Sequence, residues 1–178
     1  MIITLQDAQT IDPSITQGTL DSYETAIRGL THNNFQVTVV RAWDVTVDGD
    51  TVTFKRDDLT AAIKVNDTVE LGNTAANDGL YTVKVKTGAT LTLDRSPRLP
   101  GTFSDAIMTW VDYPADVKEG VRKLIAYDKK MAAKLGVKSE TISRLSVTYY
   151  DANSNESVSG YPANLMSFIK KYTKMYWG

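Results

Sequence analysis

The residues of this chain that could do chemistry are few and poorly spaced for it. His32 is the only histidine among 178 residues, and there is no cysteine. A Ser-His-Asp triad would have to recruit His32, which follows a helical pattern and has no nucleophile elbow to serve. Thiol catalysis, disulfides and cysteine- or histidine-rich metal sites are excluded by composition. No Gly-x-x-x-x-Gly-Lys phosphate loop occurs. Asp48 and Asp50 bracket Gly49, and Asp57 and Asp58 follow closely. Carboxylates at that spacing can hold calcium, but the alternating ligand series and the distal glutamate of a calcium loop are missing. These aspartates, like Asn66-Asp67 and Asn77-Asp78, therefore read as turn formers. No catalytic, metal or cofactor site is expected, and the chain is not expected to be an enzyme.

What remains is charge and aromatic surface. Lys170, Lys171 and Lys174 cluster near the C-terminus. Lys118, Lys123, Lys129, Lys130, Lys134 and Lys138 make the preceding helical segment basic as well. Lysines late in a helix complement its dipole and face solvent. Two basic faces on one surface would instead form a positive stripe past which DNA could run. The formal net charge of −1 offers no bulk attraction to nucleic acid, so both readings stay open. Tyr161, Tyr172, Met175, Tyr176 and Trp177 crowd the end of the chain, and core packing and a protein interface are both open for them.

The elements that must position these groups fall into three blocks. Thr4-Leu5-Gln6-Asp7 starts a short helix that Asp12-Pro13-Ser14 interrupts. A longer helix is expected from about Thr19 to Leu30, with Leu20, Tyr23, Ile27 and Leu30 on its apolar side. From 36 to 111 β-branched residues and turn signals dominate. Asp48-Gly49-Asp50 reads as a hairpin turn, Asn77-Asp78-Gly79 as another, and Tyr81, Val83 and Val85 share one face of a strand. One helical turn is expected within 57–63. Six or so short strands imply a compact barrel or sandwich. After Pro114 a second long helix carries Val117, Val121, Leu124, Ile125, Met131 and Leu135 on one side and stops at Gly136. Leu145, Val147 and Tyr149 alternate as a strand, with a return expected after the polar turn at 151–155. Pro162 then opens a last helix bearing Leu165, Met166, Ile169, Tyr172 and Tyr176.

The fold class expected is α+β. A small helical bundle formed by 1–35 and 112–178, with a short β-hairpin near 144–159, would carry a β-rich barrel or sandwich-like domain, 36–111, inserted between the first and second long helices. The helices on either side of the β block cannot bury their stripes alone, so they should pack on each other. The ends of the β block, near Phe35 and Asp112, should then lie close together. No run of about 18 apolar residues exists and no membrane span is expected. The N-terminus lacks the basic and apolar regions of a secretory signal, and the absence of cysteine fits assembly in a reducing cytoplasm.

In its order of parts the chain resembles the head–tail connector, or adaptor, proteins of tailed bacteriophages. Three stretches carry the resemblance: Ile3-Thr4-Leu5-Gln6-Asp7 with the helix to Phe35; Tyr113-Pro114-Ala115-Asp116 through Lys134-Leu135-Gly136; and Lys138-Ser139-Glu140-Thr141-Ile142-Ser143 with Ser146-Val147-Thr148-Tyr149, then Gly160-Tyr161-Pro162. The likeness covers the helical half; the β block departs from the minimal family pattern. It implies a virion protein of the neck that forms a ring, a dodecamer matching the portal's symmetry. That ring would sit beneath the portal and join it to the stopper or tail, with genomic DNA passing through its channel and Lys123, Lys130, Lys134 and Lys138 as channel-facing candidates. Tyr161, Lys170, Lys171, Tyr172, Lys174, Met175, Tyr176 and Trp177 would be the portal or subunit contact. Two alternatives are another neck or tail-completion protein, and a β module that binds carbohydrate or protein on a helical mount, with Trp43, Tyr81 and Trp110 as stacking candidates.

Overall fold

A computed structural model of the chain describes residues 1–56, 60–132, 139–142, 145–148 and 157–175. It is α+β, with a closed six-stranded antiparallel barrel and about four helices. The chain divides into two compact units, one made of Asn34–Tyr113 with Met1, the other of Ile2–Asn33 with Pro114–Gly178.

The barrel is built from β1 (Gln36–Asp48), β2 (Thr51–Thr53), β3 (Thr68–Gly72), β4 (Gly79–Thr87), β5 (Thr90–Leu93) and β6 (Gly101–Val111). The closed order is β1-β2-β5-β4-β3-β6. Closure leaves no exposed sheet edge. It also brings the two ends of the block together: Gln36 pairs with Val111, and the Asp112 N–H donates to the Phe35 carbonyl at 3.1 Å. The Asp48-Gly49-Asp50 turn forms as expected, with Asp48 paired to Thr51 and Gly49 in the left-handed region at φ 60°. Val45, Val47, Val52, Val69, Leu71, Leu91 and Met108 fill the interior.

The pairing of the barrel shifts register at three places, two in β1 and one in β4. Two of these shifts set which of the core and surface side chains face in. In β1 the register slips between Trp43 and Val45, where Asp44 adopts φ 57°. Ala42 faces in before the slip and Val45 and Val47 after it, which leaves Trp43 half exposed. In β4 the slip falls between Val83 and Val85. The alternation expected for Tyr81, Val83 and Val85 therefore fails: Val83 is buried, Val85 is turned outward, and Thr82 is buried as well. One extra residue in a strand inverts every side chain beyond it, and no local pattern announces where that residue sits. Of the helical turn expected within 57–63, residues 57–59 lie outside the described residues. The Ile63 N–H donates to the Thr60 carbonyl at 2.9 Å, and Ile63 is buried in the barrel core.

The other unit contains α1 (Leu5–Ile11), α2 (Gln17–Thr31), α3 (Ala115–Met131), the ribbons β7 (Ser139–Ile142) with β8 (Leu145–Thr148) and β9 (Ser157–Val158) with β10 (Tyr161–Pro162), and a C-terminal 3-10 helix at Ser167–Tyr172. Thr4 and Thr16 cap α1 and α2, each accepting a backbone N–H three residues on, at 3.1 and 3.3 Å. Helix α2 thus starts earlier than the apolar spacing implies. It ends at His32, in the left-handed region, where the His32 and Asn33 N–H groups take the last carbonyls. Pro114 is the N-cap of α3, whose buried face is Val117, Gly120, Val121, Leu124 and Ile125. Each buried aliphatic contributes about 1.5–3 kcal/mol.

Two expectations are corrected here. The strand at Leu145–Thr148 pairs with Ser139–Ile142 ahead of it, not with residues after the polar turn. Ser157–Val158 instead pairs with Tyr161–Pro162 across Ser159-Gly160, where both turn residues have positive φ. The nearer turns win because short loops cost less chain entropy to close. The last helix is not an α-helix opened by Pro162. Pro162 is a strand residue, and the segment that follows is held mostly by bonds to the third residue back, such as Leu165 to Pro162 at 2.9 Å and Ile169 to Met166 at 3.3 Å. The expected stop at Gly136, the stripe residue Leu135 and the turn at 151–155 lie outside the described residues.

Gly120 sits where a Cβ would come within 2.5 Å of the Phe168 ring. In an exposed helix interior, glycine to alanine stabilises by about 1 kcal/mol. Here Gly120→Ala should instead destabilise by about 1–3 kcal/mol through overpacking. Chemical denaturation checks the sign, and Gly120→Ala combined with Phe168→Ala should recover part of the loss relative to Phe168→Ala alone.

Candidate functional site

The surface to be judged is the one the lysines and terminal aromatics form on the helical unit. Its frame is α3. Asp116, in the first turn of α3, receives the Tyr172 hydroxyl at 2.6 Å and the Lys171 ammonium at 2.7 Å. Lys171 Nζ also lies 5.0 Å from the centre of the Tyr172 ring. The Tyr172 carbonyl accepts Asn33 Nδ2 at 3.2 Å, and the Lys174 N–H donates to the Thr31 carbonyl at 2.8 Å. The C-terminal segment is thus strapped to the start of α3 and the end of α2. Hydrogen bonds from Lys171 and then Tyr172 hold the Asp116 carboxyl below its ordinary 3.8. The same contacts raise Lys171 and Tyr172.

A second carboxylate, Asp128, lies further along α3. Its Oδ2 accepts the hydroxyls of both Tyr23, from α2, and Tyr161, from β10; the Tyr161 bond is 2.7 Å. Burial, and then the bond to Asp128, push Tyr161 up to about 12 and Tyr23 well above the usual phenol range. This cluster lines an open cavity of about 330 Å³, whose other walls are mostly apolar, chiefly Ile27, Leu30, Leu124 and Met166, with Thr19, Ser22 and Ser159 among them. At the other edge of the unit, Arg122 donates to Asp7 Oδ2 at 2.5 and 3.1 Å, and Lys129 caps the Ile11 carbonyl at 2.6 Å. The Arg122–Asp7 pair is about one third exposed, so it fixes register more than it stabilises, at about 0–1 kcal/mol.

The terminal candidates therefore divide. Tyr161 is half-buried, bonded to Asp128 and tilted against Tyr127 at 5.9 Å, so it belongs to the internal packing and the cavity wall. Tyr172 and Lys171 are committed to Asp116. Lys170 and Lys174 are exposed, and Met175 is 79% exposed. Lys123 and Lys130 are exposed on α3. Tyr176, Trp177, Lys134 and Lys138 lie outside the described residues. Among the barrel aromatics, Tyr81 is buried and donates to the Asn77 carbonyl at 2.8 Å, Trp110 packs partly buried against the core, and Trp43 is 46% exposed. Asp116 and Asp128 carry no sequence signal of their role, because a carboxylate on a helix looks solvated until a phenol from another element reaches it. Among the described residues no cluster of metal-ligating side chains occurs, and no helix is long and apolar enough to cross a membrane.

Two pH responses follow. The strap rests on a lowered carboxyl, so its stabilisation is intact at neutral pH and is lost as the pH falls below 3.8 through the depressed value. Protection of the amides at 167–175 relative to their intrinsic exchange rates should fall across that window, and Asp116→Asn should show the reduced protection at neutral pH. The Asp128 cluster rests on raised phenols, so its contribution is whole below 10 and declines as the pH rises through about 12. Ultraviolet titration should show Tyr161 ionising late, and Asp128→Asn should bring that ionisation to lower pH.

Set beside known proteins, the chain matches no family model and shows no significant similarity to any curated protein.

Proposed function

We propose that this protein is a structural adaptor of the tailed-phage neck. It assembles into a dodecameric ring beneath the portal, joins the portal to the stopper or tail, and lets genomic DNA pass through its centre without reading sequence. In this reading the protein has no catalytic role. Residues 1–35 and 112–178 form a discontinuous helical adaptor domain, and the barrel, 36–111, is a domain inserted between its first and second long helices. Its place is the head–tail interface of the virion, after assembly in the host cytoplasm.

The observation that carries the reading is the pair of unlike apolar features on the helical unit. One is the open cavity between α2 and α3; the other is Met175, exposed on a segment strapped to the end of α2. A ring closes through head-to-tail contacts between two different surfaces, and unlike, uncovered features on one small unit suit that. Exposed Lys123, Lys130, Lys170 and Lys174 supply cationic surface for DNA phosphates or for acidic neighbours.

Incubation of the purified protein with portal-bearing capsids tests this directly. Expected is a stoichiometric, ring-shaped addition at one vertex, with Met175→Asp reducing occupancy while leaving the thermal melt unchanged. Absence of association at every salt concentration would refute the proposal.

A further inference from the structure

The outer face of the barrel carries a polar cleft that the adaptor reading does not use. Three strands build it. Arg41 of β1, Thr109 of β6 and Glu70 of β3 are register partners, so they form one rung across β1, β6 and β3. The rung beside it is Trp43, Ile107 and Gly72. Arg41 reaches this place because β1 bulges: its pairing to β6 jumps from Val37 opposite Trp110 to Arg41 opposite Thr109. Bulges commonly re-aim a side chain beside a functional site.

The chemistry of the cleft is mixed and only partly satisfied. Gln36 Nε2 donates to Glu70 at 3.0 Å, while Arg41 Nη2 reaches Gln36 Oε1 only at a long 3.4 Å. Arg41 Nε is buried with no hydrogen-bond partner among the described residues. A buried guanidinium donor left without a partner is destabilising, and a ligand oxygen would satisfy it. Asp78 borders the same space, with its Oδ1 held by Thr74 at 2.6 and 2.7 Å. One guanidinium against two carboxylates makes the cleft slightly acidic, which disfavours phosphate and carboxylate ligands. The cleft encloses about 270 Å³, just under the range of roughly 300–1,000 Å³ typical of drug-sized ligands. Gly72 leaves its floor bare, and a Cβ there would meet nothing within 4 Å. Trp43, half exposed, is the register partner of Ile107, which lines the cleft, and shares the outer face of β1 with Arg41.

We propose that this cleft binds a neutral pyranose residue of a glycan, with adjacent hydroxyls bridging Arg41 and Glu70 and the apolar face of the sugar ring against Trp43. A sugar hydroxyl both donates and accepts, so it can meet a guanidinium and a carboxylate side by side without bringing charge. The ring is small enough for the space. Trp43, one rung from Arg41 on the same face, offers it the amphipathic surface that tryptophan provides at interfaces.

Saturation-transfer NMR on the full chain tests this, using the methyl glycosides of glucose, galactose, mannose and N-acetylglucosamine, with glucuronate and inorganic phosphate as charged probes. Expected is transfer to at least one neutral glycoside, abolished by Gly72→Leu, which fills the cleft from an open backbone position. Trp43→Ala, an exposed change that leaves the barrel core intact, should weaken binding by about tenfold or more, and Arg41→Met likewise. No transfer to any neutral glycoside would overturn the proposal. So would transfer that survives both Gly72→Leu and Trp43→Ala, or a preference for glucuronate or phosphate. None of these outcomes depends on capsid association, so this site and the adaptor reading stand or fall separately.

Discussion

Helix α3 supplies the carboxylates and the bare backbone on which the rest of the helical unit is assembled. Asp116 holds the C-terminal 3-10 helix, Asp128 gathers phenols from α2 and β10, and Gly120 admits the Phe168 ring. Arg122 and Lys129 reach back to α1. Short helices are marginal alone in water, so α1, with seven residues, depends on this element for its order, and the six-residue 3-10 helix depends on it together with the end of α2. The carboxylates matter less as ion pairs than as acceptors that fix where each neighbour lies along the helix.

The barrel obeys a different constraint. Its closure demands that six strands agree in register, and bulges in β1 and β4 are where the chain absorbs the mismatch. The same slips decide its surface: Trp43 and Val85 face outward because the strands shift phase next to them. The Arg41 cleft arises the same way. A feature needed to close the sheet thus also exposes polar and aromatic groups in combinations that an unbulged strand would hide.

Function is carried by surfaces rather than by a reaction centre in the reading proposed above. The helical unit offers cationic residues, an exposed methionine and an apolar cavity; the barrel offers a small polar cleft. As proposed, adaptor assembly would draw on the first set and glycan binding on the second. Two compact units on one chain allow the two roles to be separable by mutation.

The amino-acid sequence by itself determined the class of the fold, because periodicity and turn chemistry are local. The cap at Thr4, the exit at His32, the Asp48-Gly49-Asp50 turn and the stripe from Val117 to Ile125 are all read from neighbours a few residues apart, whereas the start of α2 at the Thr16 cap was not. That strands run from 36 to 111 followed from the same signals; that the ends of the block lie together was expected from the need of the flanking helices to cover each other's stripes. Tertiary structure alone decided the rest, since it turns on partners distant in sequence. Which strand Leu145–Thr148 pairs with, why 167–172 winds as a 3-10 helix, and why Val85 faces out depend on competing closures and on register around the barrel. The roles of Asp116, Asp128, Gly120 and Arg41 have no local signature. A carboxylate, a glycine or a guanidinium acquires its meaning only when a tyrosine hydroxyl, an aromatic ring or a facing strand arrives from elsewhere in the chain.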